Sequence, residues 1–232
     1  MLERRCEDLE WLDRPDCPAD LPAVSDRFMA LINRHFGGER LVRSFIAGQL
    51  RRHGAARPLR VLDIGSGRGD IPLAVLRWAR RQGRAVTFTC VDRRDAGGEA
   101  ADGLERVVSD IFDYAPPRPF DCAVASMVLH HLTDDRIVEL LERLRPFVPR
   151  LFISDLRRAW PTYAVCRVLT AAWPAGVRHD AMLSIRRGFR PDELRRLLAR
   201  LPGAAAQVRT AAMHRVVAAV DPMRDVLAKA VV

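Results

Sequence analysis

The stretch Val61-Leu62-Asp63-Ile64-Gly65-Ser66-Gly67-Arg68-Gly69-Asp70 decides the fold of this chain. Leu59 to Ile64 is a short apolar run rich in branched residues, which suits a strand buried on both faces. Three glycines at alternate positions end it, and Pro72 then stands in the first turn of a helix, where proline is tolerated. Strand, glycine turn and helix in direct succession open an α/β sheet whose ligands lie beyond the strand ends.

Outward from that unit, the alternation continues. The pattern predicts a helix over 71–82, strands over 85–92, 104–110 and 120–127, a helix from Asp134 to Leu144, and a fifth strand over 147–155. Such order favours a mostly parallel, Rossmann-like sheet with right-handed crossovers. A helix from Pro191 to Leu201 and the segment AAQVRTAAMHRVVAAV (205–220) complete it, the latter as two closing strands in an antiparallel hairpin, for seven strands in all. Between Asp92 and Leu104, Gly97, Gly98 and Gly103 leave room for at most a short helix. Ahead of Pro58, Leu21 to Phe36 and Glu39 to His53 show helical spacing around a Gly37-Gly38 turn. The expected organisation is an N-terminal helical cap over 1–57 and a ligand-binding domain over 58–232, with an insertion at about 156–190 that covers the active site. Within the insertion a helical stretch, Trp160 to Trp173, gives way to a break at Pro174-Ala175-Gly176 and the polar Arg178-His179-Asp180.

The formal charge of +9 invites a nucleic-acid reading. Against it, Lys229 is the single lysine among 38 basic residues, and the arginines are scattered as pairs such as Arg80-Arg81 and Arg195-Arg196 on helix-like segments. That distribution suits solvated helix faces, and two tyrosines, nine phenylalanines and four tryptophans show no aromatic-basic interleaving. Cys6, Cys17, Cys90, Cys122 and Cys166 form no CxxC pair and match no zinc or redox template. No metal-ligand spacing calls for a metal. An odd, scattered cysteine set, a charged N-terminus and the lack of a long apolar run lead to the expectation of a cytoplasmic protein without a membrane span, monomeric or homodimeric.

The glycine loop carries the chemistry. A nicotinamide-binding turn usually shows GxGxxG, with its third glycine one position later than Gly69. The early third glycine, with Asp63 inside the strand end, resembles the first motif of class I S-adenosylmethionine (SAM)-dependent methyltransferases. The resemblance implies a Rossmann-like sheet that binds SAM and releases S-adenosylhomocysteine (SAH). Asp63 would orient the ammonium, Gly65, Ser66 and Gly67 would let the cofactor lie on bare backbone, and Arg93 and Ser126 would border it. Asp92, ending the second strand, can accept from both ribose hydroxyls, an assignment a dinucleotide fold would share. Asp110 can accept the adenine amino group while Ile111 packs on the ring; a helix cap or turn acid is the alternative for Asp110.

Reacting groups should follow strands four and five. Ser126-Met127-Val128-Leu129-His130-His131 resembles the fourth motif of many small-molecule methyltransferases. His130 is the leading candidate for a general base, since imidazole titrates near neutrality; His131 is the more structural of the two. Ser154-Asp155 either lines the same cleft or caps the next helix. With Ile32-Asn33-Arg34, Ser154 to Arg158 and Arg178-His179-Asp180, the chain resembles bacterial methyltransferases associated with type III polyketide synthases, which implies that His179 helps to enclose the acceptor and that Arg34 pairs with the cofactor carboxylate. The expected reaction is methylation of a small phenolic or polyketide-derived acceptor, at oxygen rather than carbon. A C-methyltransferase of quinone-like substrates, an RNA methyltransferase and a binding-only fold are the alternatives.

Overall fold

A computed structural model describes residues 2–54, 56–212 and 214–221. Seven strands form one sheet: β1 (Leu59–Ile64), β2 (Val86–Asp92), β3 (Leu104–Val108), β4 (Cys122–Ser126), β5 (Leu151–Leu156), β6 (Ala205–Ala211) and β7 (Arg215–Asp221). Their order is β3-β2-β1-β4-β5-β7-β6. β1 to β5 pair in parallel, and β7 enters antiparallel between β5 and β6. This is the expected seven-stranded, Rossmann-like arrangement closed by an antiparallel hairpin. The order reverses at β1, where the chain moves first to β2 and later to β4, so a crevice opens at the carboxyl ends of β1 and β4.

Alternation along β1 sorts its side chains between two cores. Leu62 and Ile64 pack with Ala123, Ala125, Ile137, Leu141 and Leu194, under α4 (Asp134–Leu144) and α7 (Pro191–Leu198). Leu59 and Val61 face the other way, with Val42, Ile46, Val75 and Leu76 of α2 (Gly38–His53) and α3 (Asp70–Arg81). Asp63 shares the second face because it stands two residues from Val61. α4 is capped by the Thr133 hydroxyl and carries Asp134 and Asp135 in its first turn, which suits the positive end of its dipole.

A third cluster lies over the strand ends. α1 (Leu21–His35) sets Leu21 and Phe28 against Val177 and Trp173, at the start of α6 (Ala175–Arg187). α5 (Trp160–Leu169) stops short of the expected Trp173, a short turn carries the expected break at Pro174, and α6 begins at Ala175, so the polar Arg178-His179-Asp180 segment is helical. The buried residues of α6 are Val177, Asp180, Leu183, Ser184, Ile185 and Arg187. The spacing is helical, but half of them are polar, and a hydrophobic pattern cannot reveal such a face. Residues 2–13 run alongside α6 as a strap: the Cys6 amide donates to Arg186 O at 3.1 Å, and the Trp11 and Leu12 amides donate to the Asp180 carboxylate at 2.8 and 3.0 Å. Three strands are clearly shorter than expected: β3 ends at Val108, β4 spans only Cys122–Ser126 of the expected 120–127, and β5 starts at Leu151, since Ser109-Asp110 and Phe147-Val148 are drawn into turns. Among the described residues no helix occupies 93–103, and none is long and apolar enough to cross a membrane.

Candidate active site

Gly65, Gly67 and Gly69 all adopt left-handed φ angles, of +63°, +52° and +75°. A Cβ on Gly65 would lie 2.4 Å from Val128 Cγ2, so here the absence of a side chain lets the loop after β4 close against the loop after β1. A Cβ on Gly67 would meet nothing within 4 Å. Its bare backbone faces open space, as a ligand lying on the loop requires. Gly65→Ala is therefore expected to cost about 2–4 kcal/mol through overpacking and a strained φ. A thermal melt should show a drop of roughly 2–4 °C per kcal/mol, and an unshifted midpoint would contradict this packing.

Asp92, at the end of β2, holds the loop: one carboxylate oxygen accepts from the Gly67 amide at 2.8 Å and the other from the Arg94 amide at 2.9 Å. Each oxygen keeps a second lone pair for a hydroxyl. Asp63 has no such partner. Its carboxyl is buried and accepts no hydrogen bond among the described residues, and burial together with the nearby Asp92 charge pushes its pKa up to about 8. A buried acid without a donor suits a cationic ligand. Asp110 Oδ1 accepts from the Phe112 amide at 2.9 Å, the turn-acid arrangement, and it borders the cavity beside Ile111 and Phe112. The Arg136 guanidinium stacks 3.5 Å above the Phe112 ring and stiffens that wall.

The cavity, about 390 Å³, extends from this loop to the turn after β4. Asp63, Gly65, Ser66, Gly67, Asp92, Arg93, Asp110, Ile111 and Ser126 all line it, as do His130 and His131. Asn33 and Ser126 each bring a buried oxygen, Oδ1 and Oγ, without a hydrogen-bond partner among the described residues. Unpaired buried oxygens along one wall are costly unless a ligand meets them. With the Asp63 carboxyl and the bare Gly67, they fit the ammonium and the ribose hydroxyls of SAM.

Met127 precedes the histidines with φ +61°, rare for a residue with a long side chain. That bend redirects the chain into a 3₁₀ turn over Leu129–His131 and places both imidazoles on the cavity wall. His130 is 2% exposed, and its Nδ1 meets Asp155 Oδ1 at 2.7 Å; Asp155 in turn is wholly buried. Burial alone would raise the Asp155 pKa, but the charge and hydrogen bond of His130 hold it below the usual carboxylate range. An ionised Asp155 accepts the Nδ1 proton, which leaves the Nε2 lone pair available. His131 repeats the arrangement with Asp13, Nδ1 to Oδ2 at 2.7 Å, and Arg93 pairs with the other oxygen of Asp13. Arg187 fixes the turn from below, donating to His130 O at 2.9 Å and to His131 O at 2.8 Å.

Two expected residues lie elsewhere. Arg34 is exposed near the end of α1 and does not border the cavity; its neighbour Asn33 does. His179 is likewise absent from the cavity wall, its ring stacked 4.7 Å from that of Trp11 and its Nδ1 against Asp180 Oδ1 at 2.9 Å. Asp180 lines the cavity instead. Asp155 acts from beneath the wall, through His130, and Ser154 is buried below it, so neither lines the cleft itself. Glu10 and Asp13 were not anticipated: they arrive on the strap, far from any motif in sequence.

Residues 36–203 match the family described as a methyltransferase domain. The chain belongs to that family. Its members take a methyl group from SAM, and SAM is the cofactor of this methyltransferase. Among solved structures, the plantazolicin methyltransferase BpumL in complex with SAH aligns over 91% of this chain and 92% of that one, with a TM-score of 0.68 and 14% identity. The CMeT domain of the citrinin polyketide synthase aligns over 92% of this chain and 59% of that one, at TM-score 0.65 and 12% identity. A putative O-methyltransferase from Nostoc punctiforme aligns over 86% and 60%, at TM-score 0.56 and 14% identity. At such identities the likeness establishes the fold. No curated protein sequence matches the chain.

Proposed function

We propose that this methyltransferase methylates an oxygen of a small phenolic or polyketide-derived acceptor, with His130 as the general base. The observation that carries this reading is the buried Asp155–His130 pair at the wall of the cavity, 2.7 Å between Oδ1 and Nδ1. In the proposed arrangement Asp63, Gly65, Gly67, Asp92 and the Asp110–Ile111 corner hold the cofactor. When bound, SAM supplies a methyl group already activated on a sulfonium. The protein's part is then to align the acceptor, exclude water and receive one proton at His130 Nε2 as the new O–C bond forms.

The cover fits a small acceptor. Phe28, Met29, Leu12 and Val177 contribute apolar wall, and we assign the N-terminal cap (1–57) and the insertion at about 156–190 to enclosing that acceptor. Acidic side chains outnumber arginines along the cavity, a setting that repels a phosphate backbone and weighs against the RNA alternative. Arg34 and His179, both exposed and off the cavity wall, take no part in this reading.

The test is a panel of phenols, quinols and short RNAs offered with labelled SAM, followed by His130→Ala on the acceptor that takes label. Turnover should fall about 10²- to 10⁴-fold, the range for losing a positioned base, while SAH still binds. Undiminished turnover would remove the base role, and label entering RNA alone would remove the acceptor class.

A further inference from the structure

From Glu10, His130 and His131 we infer a binding site for a single first-row divalent cation of the zinc class. One ligand atom from each of the three lies within 4.8 Å of the others, and all three border the cavity. His130 Nε2 stands 3.8 Å from Glu10 Oε1, too far for a hydrogen bond. Two imidazoles and one carboxylate are a donor set that zinc and its neighbours accept with open positions to spare.

What separates this cluster from a chance gathering is how each histidine is held. His130 Nδ1 is engaged by Asp155 and His131 Nδ1 by Asp13, each at 2.7 Å. Carboxylates in those places hold both rings by Nδ1 and leave both Nε2 atoms out of those contacts, the outer arrangement that metal-bound histidines show. Glu10 is fixed too, since the Ser184 hydroxyl donates to its Oε1 at 2.6 Å. The two rings sit 4.3 Å apart, tilted by 37°. Bond lengths near 2.0–2.1 Å place neighbouring ligand atoms roughly 3.3 Å apart, so the trio closes on a cation by side-chain adjustments of about 1 Å. Three carboxylates, Glu10, Asp13 and Asp155, gather around the two imidazoles, with the guanidiniums of Arg93 on Asp13, Arg187 beneath the turn and Arg215 near Asp155.

A cation in this site takes the Nε2 lone pair of His130, so filling it slows transfer. That consequence rests on the base reading above; cation binding itself does not. The experiment uses the full chain after chelation. Zn²⁺ is titrated by calorimetry, and Co²⁺ serves as a spectroscopic probe of coordination. Expected are one equivalent bound and visible Co²⁺ absorption of a four- or five-coordinate centre. Glu10→Gln and His131→Ala should each weaken binding at least about 10²-fold, and Asp13→Asn about 10- to 100-fold, as for loss of an outer partner. SAH binding and the unfolding midpoint verify that each variant is folded, and Glu10→Gln preserves shape should His131→Ala fail. No binding, or affinity and spectrum unchanged in Glu10→Gln, overturns the site. Transfer that quickens on Zn²⁺ addition overturns the claim that the cation withdraws the base, while absence of Zn²⁺ binding leaves the base reading intact.

Discussion

Asp63→Asn is expected to weaken SAH binding by about 10²- to 10³-fold, the scale for removing one partner of a buried ion pair, while making the ligand-free protein more stable. Both effects come from one carboxyl. Asp63 is buried, lacks a hydrogen-bond donor among the described residues, and titrates at about 8. In the unfolded chain an aspartate titrates near 3.9. The folded state therefore binds the proton more tightly, and the contribution to stability falls as pH rises from about 4 to about 8, then levels. Asparagine escapes that penalty, so the variant should melt higher than the parent at pH 7.5, by roughly 2–4 °C for each kcal/mol relieved. Ligand binding runs against the same gradient. An ammonium docking on Asp63 favours the ionised form, so at pH 7 SAH association should release close to one proton. Calorimetry in buffers of different ionisation heat measures that number directly. The parent should show proton release that fades above pH 8, and the variant should show none from this group. If asparagine leaves both affinity and proton release unchanged, the ammonium does not lie on Asp63.

Much of this site is legible in the sequence because its residues stand at strand ends, where an apolar run stops and a glycine or acid follows. Asp63, Asp92 and Asp110 all reach the cavity for that reason. The misplacements lie on helices and differ by one residue. Arg34 was expected and Asn33 lines the cavity; His179 was expected and Asp180 does. One position on a helix is a rotation of roughly 100°, so a motif can mark the right turn and still name a side chain on the wrong face. α6 was obscured by chemistry of another kind. Its buried face carries Asp180, Ser184 and Arg187, which are satisfied by the strap and by the histidine turn rather than by apolar neighbours. The strap itself has no periodicity to read. Glu10 and Asp13 acquire meaning only once the Asp180 carboxylate has tied the Trp11 and Leu12 amides above the cavity.

The remaining large effect concerns Asp155, which touches no ligand and acts through His130. Asp155→Asn should lower kcat by about 10³- to 10⁴-fold, by analogy with the loss seen when a triad aspartate is made an amide and the histidine adopts the wrong tautomer, with KM for the acceptor little changed. The reason is directional. Asp155 Oδ1 accepts the Nδ1 proton at 2.7 Å, and Oδ2 receives the His130 amide at 3.3 Å and thereby holds the orientation. An asparagine that presents its NH₂ group to Nδ1 moves the imidazole proton to Nε2, so the ring donates where it must accept. A purely structural role for Asp155 would instead lower the melting point and raise KM and SAH affinity losses together. Nitrogen chemical shifts of His130 in labelled protein distinguish these outcomes, because the two tautomers interchange the protonated and unprotonated ring positions. A variant that keeps both the parent tautomer and the parent kcat would show that His130 needs no aspartate behind it. Loss of kcat with a switched tautomer, unaltered SAH affinity and a normal melt would locate the chemical step at the Nε2 atom.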